Sequence, residues 1–185
     1  MKKNHGFTLI ELMIVLIIVA IFMAIAIPSY QQFMRKRDLA IAQQESLRIA
    51  AELERFKSKN FSYKGFDPTF SYPGFNKETG ELYLPVGATS SNARFLLTVV
   101  DSATKNPLNI ILSAGKETDA SKAVRGLGWV MKVERIKTGT GGGALPKEPK
   151  NYDLLIKSDG LRCMTRTADM VKNFNDCGTQ DVEKW

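Results

Sequence analysis

The sequence predicts an α+β protein: a long N-terminal helix packed on a small antiparallel β-sheet. Three observations carry that expectation. An uncharged apolar run, Leu12 to Ile27, lies near the N-terminus. Beyond Pro28, Leu39, Ala42, Ser46, Ile49, Leu53 and Phe56 follow in steps of three and four, five of them apolar. The second half of the chain changes to short runs rich in β-branched and aromatic residues, separated by Gly, Pro, Asn and Asp.

Composition narrows the function. The 185 residues are 44% hydrophobic and 24% charged, which excludes wholesale disorder, a collagen-like repeat and a dense disulfide scaffold. The net charge of +7 raises the question of a polyanionic partner without answering it. The one histidine, His5, stands beside the N-terminus, so a histidine-dependent nucleophilic site or a His-rich zinc site would have to recruit that residue. Two cysteines, Cys163 and Cys177, cannot by themselves supply four metal ligands. The expectation is a protein that is not an enzyme, with no catalytic residues, no cofactor and no metal.

The apolar run decides the N-terminal third. Sixteen helical residues span about 24 Å at ~1.5 Å each, short of a ~30 Å hydrocarbon core. Extension back to Phe7 makes the segment long enough but includes Glu11, and a carboxylate deep in a bilayer costs roughly 2.5–3.5 kcal/mol. Three readings fit these residues. The first is a cleavable signal peptide, with Lys2 and Lys3 as its basic start and Ala24-Ile25-Ala26 as its cleavage triplet. The second is a plain transmembrane anchor. The third turns on the order Lys2-Lys3, Gly6, Phe7, Glu11 ahead of the run.

That order, Gly6-Phe7-Thr8-Leu9-Ile10-Glu11-Leu12, resembles the type IV prepilin signature. The similarity continues through Met13-Ile14-Val15 to Ala26-Ile27-Pro28-Ser29-Tyr30 and is specific over roughly residues 1–35. The resemblance implies a type IV pilin fold and a leader, residues 1–6, that prepilin peptidase removes between Gly6 and Phe7. The new N-terminus at Phe7 is then N-methylated. Glu11 becomes the assembly residue, neutralising the amine of a neighbouring subunit at Phe7, because a buried carboxylate is tolerable when paired.

The implied organisation is a long helix over 7–59, of which 7–29 forms the membrane span and later the filament core, an αβ-loop over 60–92, and a β-sheet with a C-terminal disulfide-bounded region over 93–185. Pro28, lacking an N–H, is expected to kink the helix, the alternative being two separate helices.

Topology is less clean. Lys2 and Lys3 argue for a cytoplasmic N-terminus, and Arg35-Lys36-Arg37 past the other end argues the opposite. The cysteine pair and the resemblance favour an outside C-terminus, hence a single-pass inner-membrane protein before assembly and a pilus protein at the cell surface after it. A Cys163–Cys177 disulfide would contribute about 3 kcal/mol in the chain-entropy model and imply an oxidising compartment; two free thiols are the alternative.

Seven of the aromatics crowd into 60–92: Phe61, Tyr63, Phe66, Phe70, Tyr72, Phe75 and Tyr83. They read as pins of a long ordered loop that leaves room for short strands. Strands are expected at 95–100, 108–112, 129–136, 152–156 and 161–164. The first two are expected to pair through a turn at Lys105-Asn106-Pro107, and the last two through Ser158-Asp159-Gly160. Thr138 to Gly143 reads as a flexible loop, since no Gly-Lys-Ser/Thr follows to make a phosphate cradle.

The function expected is a structural subunit of a type IV pilus, favoured as a minor pilin, supporting twitching motility, adhesion or DNA uptake. A major pilin or a type II secretion pseudopilin is the alternative, and Glu11 argues against the tip-most pseudopilin. Its partners would be other pilin subunits, prepilin peptidase with the inner-membrane assembly machinery, and inner-membrane lipid. DNA is the rival partner. Two sets of cations carry that idea: Lys57, Lys59, Lys64 and Lys77 among the aromatics, and Lys147, Lys150, Lys157, Arg162, Arg166 and Lys172 near the C-terminus.

Overall fold

Residues Leu9–Asn60 form one α-helix, α1, in a computed structural model that describes residues 7–139 and 144–185. Two compact units meet between Arg37 and Asp38. In the first unit α1 is apolar on all sides from Leu12 to Ile27. Its side chains from Phe7 to Phe33 are exposed, and a hydrophobic helix with no polar face belongs in a membrane or a helix-lined core. Pro28 lies inside α1, where it cannot donate to the Ala24 carbonyl.

The second unit begins with the amphipathic half of α1. Ala42, Ser46, Ile49 and Leu53 are buried, with Leu39 and Phe56 packed at the margin of the same cluster. Ser46 belongs in this stripe because its hydroxyl donates back to the Ala42 carbonyl at 2.6 Å, leaving no unmet donor in the core.

Six strands make the main sheet: β1 (Glu81–Leu84), β2 (Phe95–Asp101), β3 (Trp129–Arg135), β4 (Asp153–Lys157), β5 (Arg162–Thr165) and β6 (Val182–Glu183). They lie in sequence order and every neighbour is antiparallel. Period-two alternation splits the strand residues between two clusters. Phe95, Leu97, Val99, Met131, Val133, Leu154 and Ile156 join the α1 stripe, each such side chain contributing roughly 1.5–3 kcal/mol on burial. Val100, Val130, Leu155 and Cys163 point the other way and pack with Val171 and Cys177. Cys163 and Cys177 are disulfide-bonded, so the C-terminal segment is tied over the second face.

The aromatic-rich segment is ordered by burial. Tyr63, Phe66, Tyr72 and Phe75 sit in the main cluster, whereas Phe61 and Phe70 are exposed. Gly80 ends the segment at φ +73, and a Cβ there would stand 2.3 Å from the Val99 carbonyl oxygen, so only glycine fits against β2.

One expected strand is absent. Residues 108–112 do not pair with β2, and only an isolated bridge joins Val100 to Pro107. Both edges of β2 are already taken by β1 and β3. Leu108 is buried and its carbonyl accepts from Gly65 at 2.7 Å, but Ile110 and Leu112 are exposed, and Leu112 pairs with Glu117 in a separate two-residue ladder. The partner on that edge, β1, comes from within 60–92. The Ser158-Asp159-Gly160 hairpin does join β4 to β5, with the Lys157 N–H donating to Leu161 at 3.0 Å. Of the expected flexible loop, Thr138 pairs with Leu145, while residues 140–143 lie outside the described residues.

Candidate assembly site

The start of α1 is held by its own side chains. Thr8 precedes the first helical residue, and its hydroxyl accepts from the Glu11 N–H at 3.3 Å. In return Glu11 Oε2 accepts from the Thr8 N–H at 3.2 Å and from the Thr8 hydroxyl at 3.1 Å. This is a capping box, which satisfies two backbone donors that the helix leaves open. Its signal, Thr-x-x-Glu, is present in the sequence as Thr8-Leu9-Ile10-Glu11.

Glu11 therefore has a local role as well as a charge. It is the only charged side chain from Phe7 to Met34. Around it Phe7, Leu9, Ile10 and Leu12 are exposed. By length and composition α1 is long and apolar enough to cross a membrane. Phe7 is among the described residues; Gly6 and the rest of the 1–6 leader are not.

Elsewhere the charged groups are mostly engaged in holding the fold. Arg135 is 2% exposed and uses its whole guanidinium. Its Nε and Nη2 donate to the two oxygens of Asp153 at 2.9 and 3.0 Å, and further donations reach the carbonyls of Pro149, Asn151 and Arg166. Asp101 closes the turn after β2 by accepting from the N–H groups of Ala103, Thr104 and Gly126. Glu54 Oε1 on α1 accepts from both the Tyr63 hydroxyl at 2.8 Å and the Trp129 indole at 3.1 Å. Burial, then the nearby Glu54 carboxylate, pushes the Tyr63 phenol up to about 12. Tyr72, bonded to Glu45 at 2.8 Å, is raised for the same two reasons. Among the described residues no group of three or more His, Cys, Asp or Glu is placed to hold a metal.

The two cation sets are dispersed. Lys64 pairs with Glu117 at 2.8 Å, Lys77 pairs with Asp67 at 2.5 Å, and Lys57 lies 4.7 Å from the centroid of Tyr63. Four rings of that region are buried and so present no face for stacking. In the second set Arg166 stacks on Tyr152 at 4.4 Å and Lys147 donates to the Ser91 carbonyl. Lys157 and Arg162 line a cleft beside α1, whereas Lys172 lines another on the opposite side of the sheet with Lys132 and Lys137.

Known proteins bear on this geometry. The family described as the prokaryotic N-terminal methylation motif matches residues 1–27. The fimbrial protein EcpC of Eikenella corrodens is 32% identical over 125 residues, covering 68% of this chain and 71% of its own. Prepilin peptidase-dependent protein D of Escherichia coli K12 is 59% identical over 39 residues, 21% of this chain and 27% of its own. A protein named "Probable minor fimbrial protein" from Dichelobacter nodosus is 46% identical over 54 residues, 28% of this chain and 34% of its own. No solved structure gives a significant match.

Proposed function

The chain belongs to the type IV pilin family, and we propose that it acts as a minor pilin, cut between Gly6 and Phe7 by prepilin peptidase and N-methylated at Phe7. In this reading residues 7–29 hold it in the inner membrane with a cytoplasmic N-terminus. The same helix then enters the core of the filament, and the protein serves pilus-dependent motility, adhesion or DNA uptake.

The observation that carries the reading is the isolation of Glu11. It is one acidic side chain in a wholly apolar exposed segment, four residues after the α-amine that cleavage would create at Phe7. In a bundle of such helices the amine of a neighbour is the matching cation. Loss of one partner from a buried pair costs about 3–5 kcal/mol, enough to set the register of subunits. The minor rather than major assignment is supported by the name of the Dichelobacter relative.

Mass spectrometry of the protein from membranes tests the first part. The expected N-terminus is N-methylated Phe7, and a start at Ile27 would mean an ordinary signal peptide. Quantitative mass spectrometry of sheared pili tests the second: the subunit should be far less abundant than the main pilin, and parity would refute the minor assignment.

A further inference from the structure

We propose that Ser102, Lys105, Lys157 and Ser158 form a binding site for the terminal phosphate group of a soluble phosphate ester. They lie where the chain leaves β2, enters β3 and turns from β4 into β5. Hydrogen bonds stitch these three segments together. The Ser102 N–H donates to the Gly128 carbonyl and the Ser158 N–H to the Trp129 carbonyl, both at 3.0 Å. The Trp129 N–H donates in turn to Ser158 Oγ at 3.1 Å. The two hydroxyls flank Gly128, where a Cβ would stand 2.8 Å from Ser102 Oγ and 2.9 Å from Ser158 Oγ. Gly128 is not at positive φ, so room rather than backbone conformation calls for glycine there. Both hydroxyls are thereby held within the span of one phosphate group and its hydrogen bonds.

What these residues offer is donors. Ser158 Oγ already accepts a hydrogen bond, so its proton is left to donate outward. Among the described residues the Ser102 hydroxyl has no hydrogen-bond partner and Lys157 has no ion-pair partner. Lys105 Nζ donates once, to the Ser102 carbonyl at 2.6 Å, and two protons remain. Lys105 sits at φ +60, a conformation that glycine or asparagine adopts more easily, so backbone strain is stored at a residue of the site. The Phe174 ring, centred 6.0 Å from Nζ, limits its hydration. Burial, then the Lys157 ammonium, holds Lys105 below the ordinary lysine range. Two cations that repel in a partly dry place are relieved by an anion. The nearest acids are committed elsewhere. Asp101 is buried and accepts from the N–H groups of Ala103, Thr104 and Gly126 and from the Thr104 hydroxyl. Asp159 accepts from the Leu161 N–H within its own turn. Two ammonium groups and two hydroxyls suit a phosphate dianion, which presents more acceptor oxygens than a carboxylate. Ser158 is exposed, so the remainder of an ester projects into solvent.

Calorimetric titration of the full-length chain in neutral detergent micelles tests the site, at about pH 8, where a terminal phosphate is a dianion. The probes are inorganic phosphate, glycerol 3-phosphate and dimethyl phosphate. The first two should bind. Dimethyl phosphate, a monoanion with no terminal phosphate, should bind about tenfold more weakly or worse. Lys157→Gln and Ser102→Ala should each weaken glycerol 3-phosphate binding by about tenfold. Their melting without phosphate should be unchanged, because neither side chain is bonded to the fold. Lys150→Gln removes the same charge from an exposed position outside the site and should bind as the unmodified chain does. No binding of glycerol 3-phosphate, or binding of inorganic phosphate alone, would overturn the assignment. So would equal binding of dimethyl phosphate, or an equal loss in Lys150→Gln and Lys157→Gln, which is the result of diffuse attraction to a basic chain.

Discussion

The carboxylate of Glu11 accepts from both the backbone N–H and the hydroxyl of Thr8, so the one acid in the apolar segment also caps the helix that carries it. Cap and charge can be separated. Glu11→Gln keeps the side-chain acceptor of a capping box but removes the charge. Thr8→Ala weakens the cap, at about 0.5–2 kcal/mol, and keeps the charge. If charge neutralisation drives assembly, Glu11→Gln should be processed normally yet fail to enter filaments, and Thr8→Ala should enter them. Immunoblots of membranes and sheared pili read both. Equal incorporation of Glu11→Gln and the unmodified chain would reduce Glu11 to a helix cap.

Arg135→Met should be among the most destabilising single changes in the folded unit. It leaves the Asp153 carboxylate, 3% exposed, without its bidentate partner and frees three carbonyls that the guanidinium holds. Breaking a buried pair in this way costs about 3–5 kcal/mol. The paired replacement Arg135→Met with Asp153→Leu should recover part of the loss. Denaturant titration followed by tryptophan fluorescence measures both.

Removal of the disulfide should loosen one face of the sheet selectively. Cys163→Ser with Cys177→Ser opens a 14-residue separation, worth about 3 kcal/mol in the entropic account. The melting temperature should fall by roughly 6–12 °C for a unit of this size. The surface uncovered is that of Val100, Val130 and Leu155, not the α1 cluster. Hydrogen exchange should therefore rise in residues 166–181 before it rises in α1.

The tyrosine–glutamate bonds make stability fall at alkaline pH. A phenol raised in the folded state contributes stability that is present below its unfolded value near 10 and is lost as pH rises through the folded value. For Tyr63 that window runs from about 10 to about 12. Tyr72 moves in the same direction through burial and Glu45. The Tyr63→Phe, Tyr72→Phe double variant should be less stable near neutral pH but lose less between pH 10 and 12. Chemical denaturation across that range, compared between the two proteins, isolates the tyrosines from lysine deprotonation.

Much of the helix and part of the sheet were legible because their signals are periodic or strictly local. The α1 stripe from Leu39 to Phe56 follows the 3.6 period that burial of one face requires. The Asp159-Gly160 turn marks itself by glycine at positive φ. The composition of 60–92 allowed short strands but did not place Glu81–Leu84, because four residues, Glu-Leu-Tyr-Leu, alternate too briefly to stand out from the aromatic segment around them. Residues 108–112 have a strand-like composition, but β-propensity reports fit to a half-buried pleated surface, and here Ile110 and Leu112 are exposed while both edges of β2 are already paired.

The sequence by itself determined the apolar segment and its lone acid, the Thr8–Glu11 cap, the amphipathic continuation of α1, and two cysteines close enough along the chain to be joined. These are properties of composition and spacing within a few turns of chain. Only the tertiary structure decided that β2 lies between β1 and β3, that Arg135 closes on Asp153, and that Glu54 holds Tyr63 and Trp129 together. It likewise decided that Phe70 stays wet while its neighbour Tyr72 is buried. Each of these depends on which distant segments meet when apolar surface is removed from water, and many chemically equivalent carboxylates, arginines and rings could have met instead. Local pattern names the groups available, and packing chooses the partners.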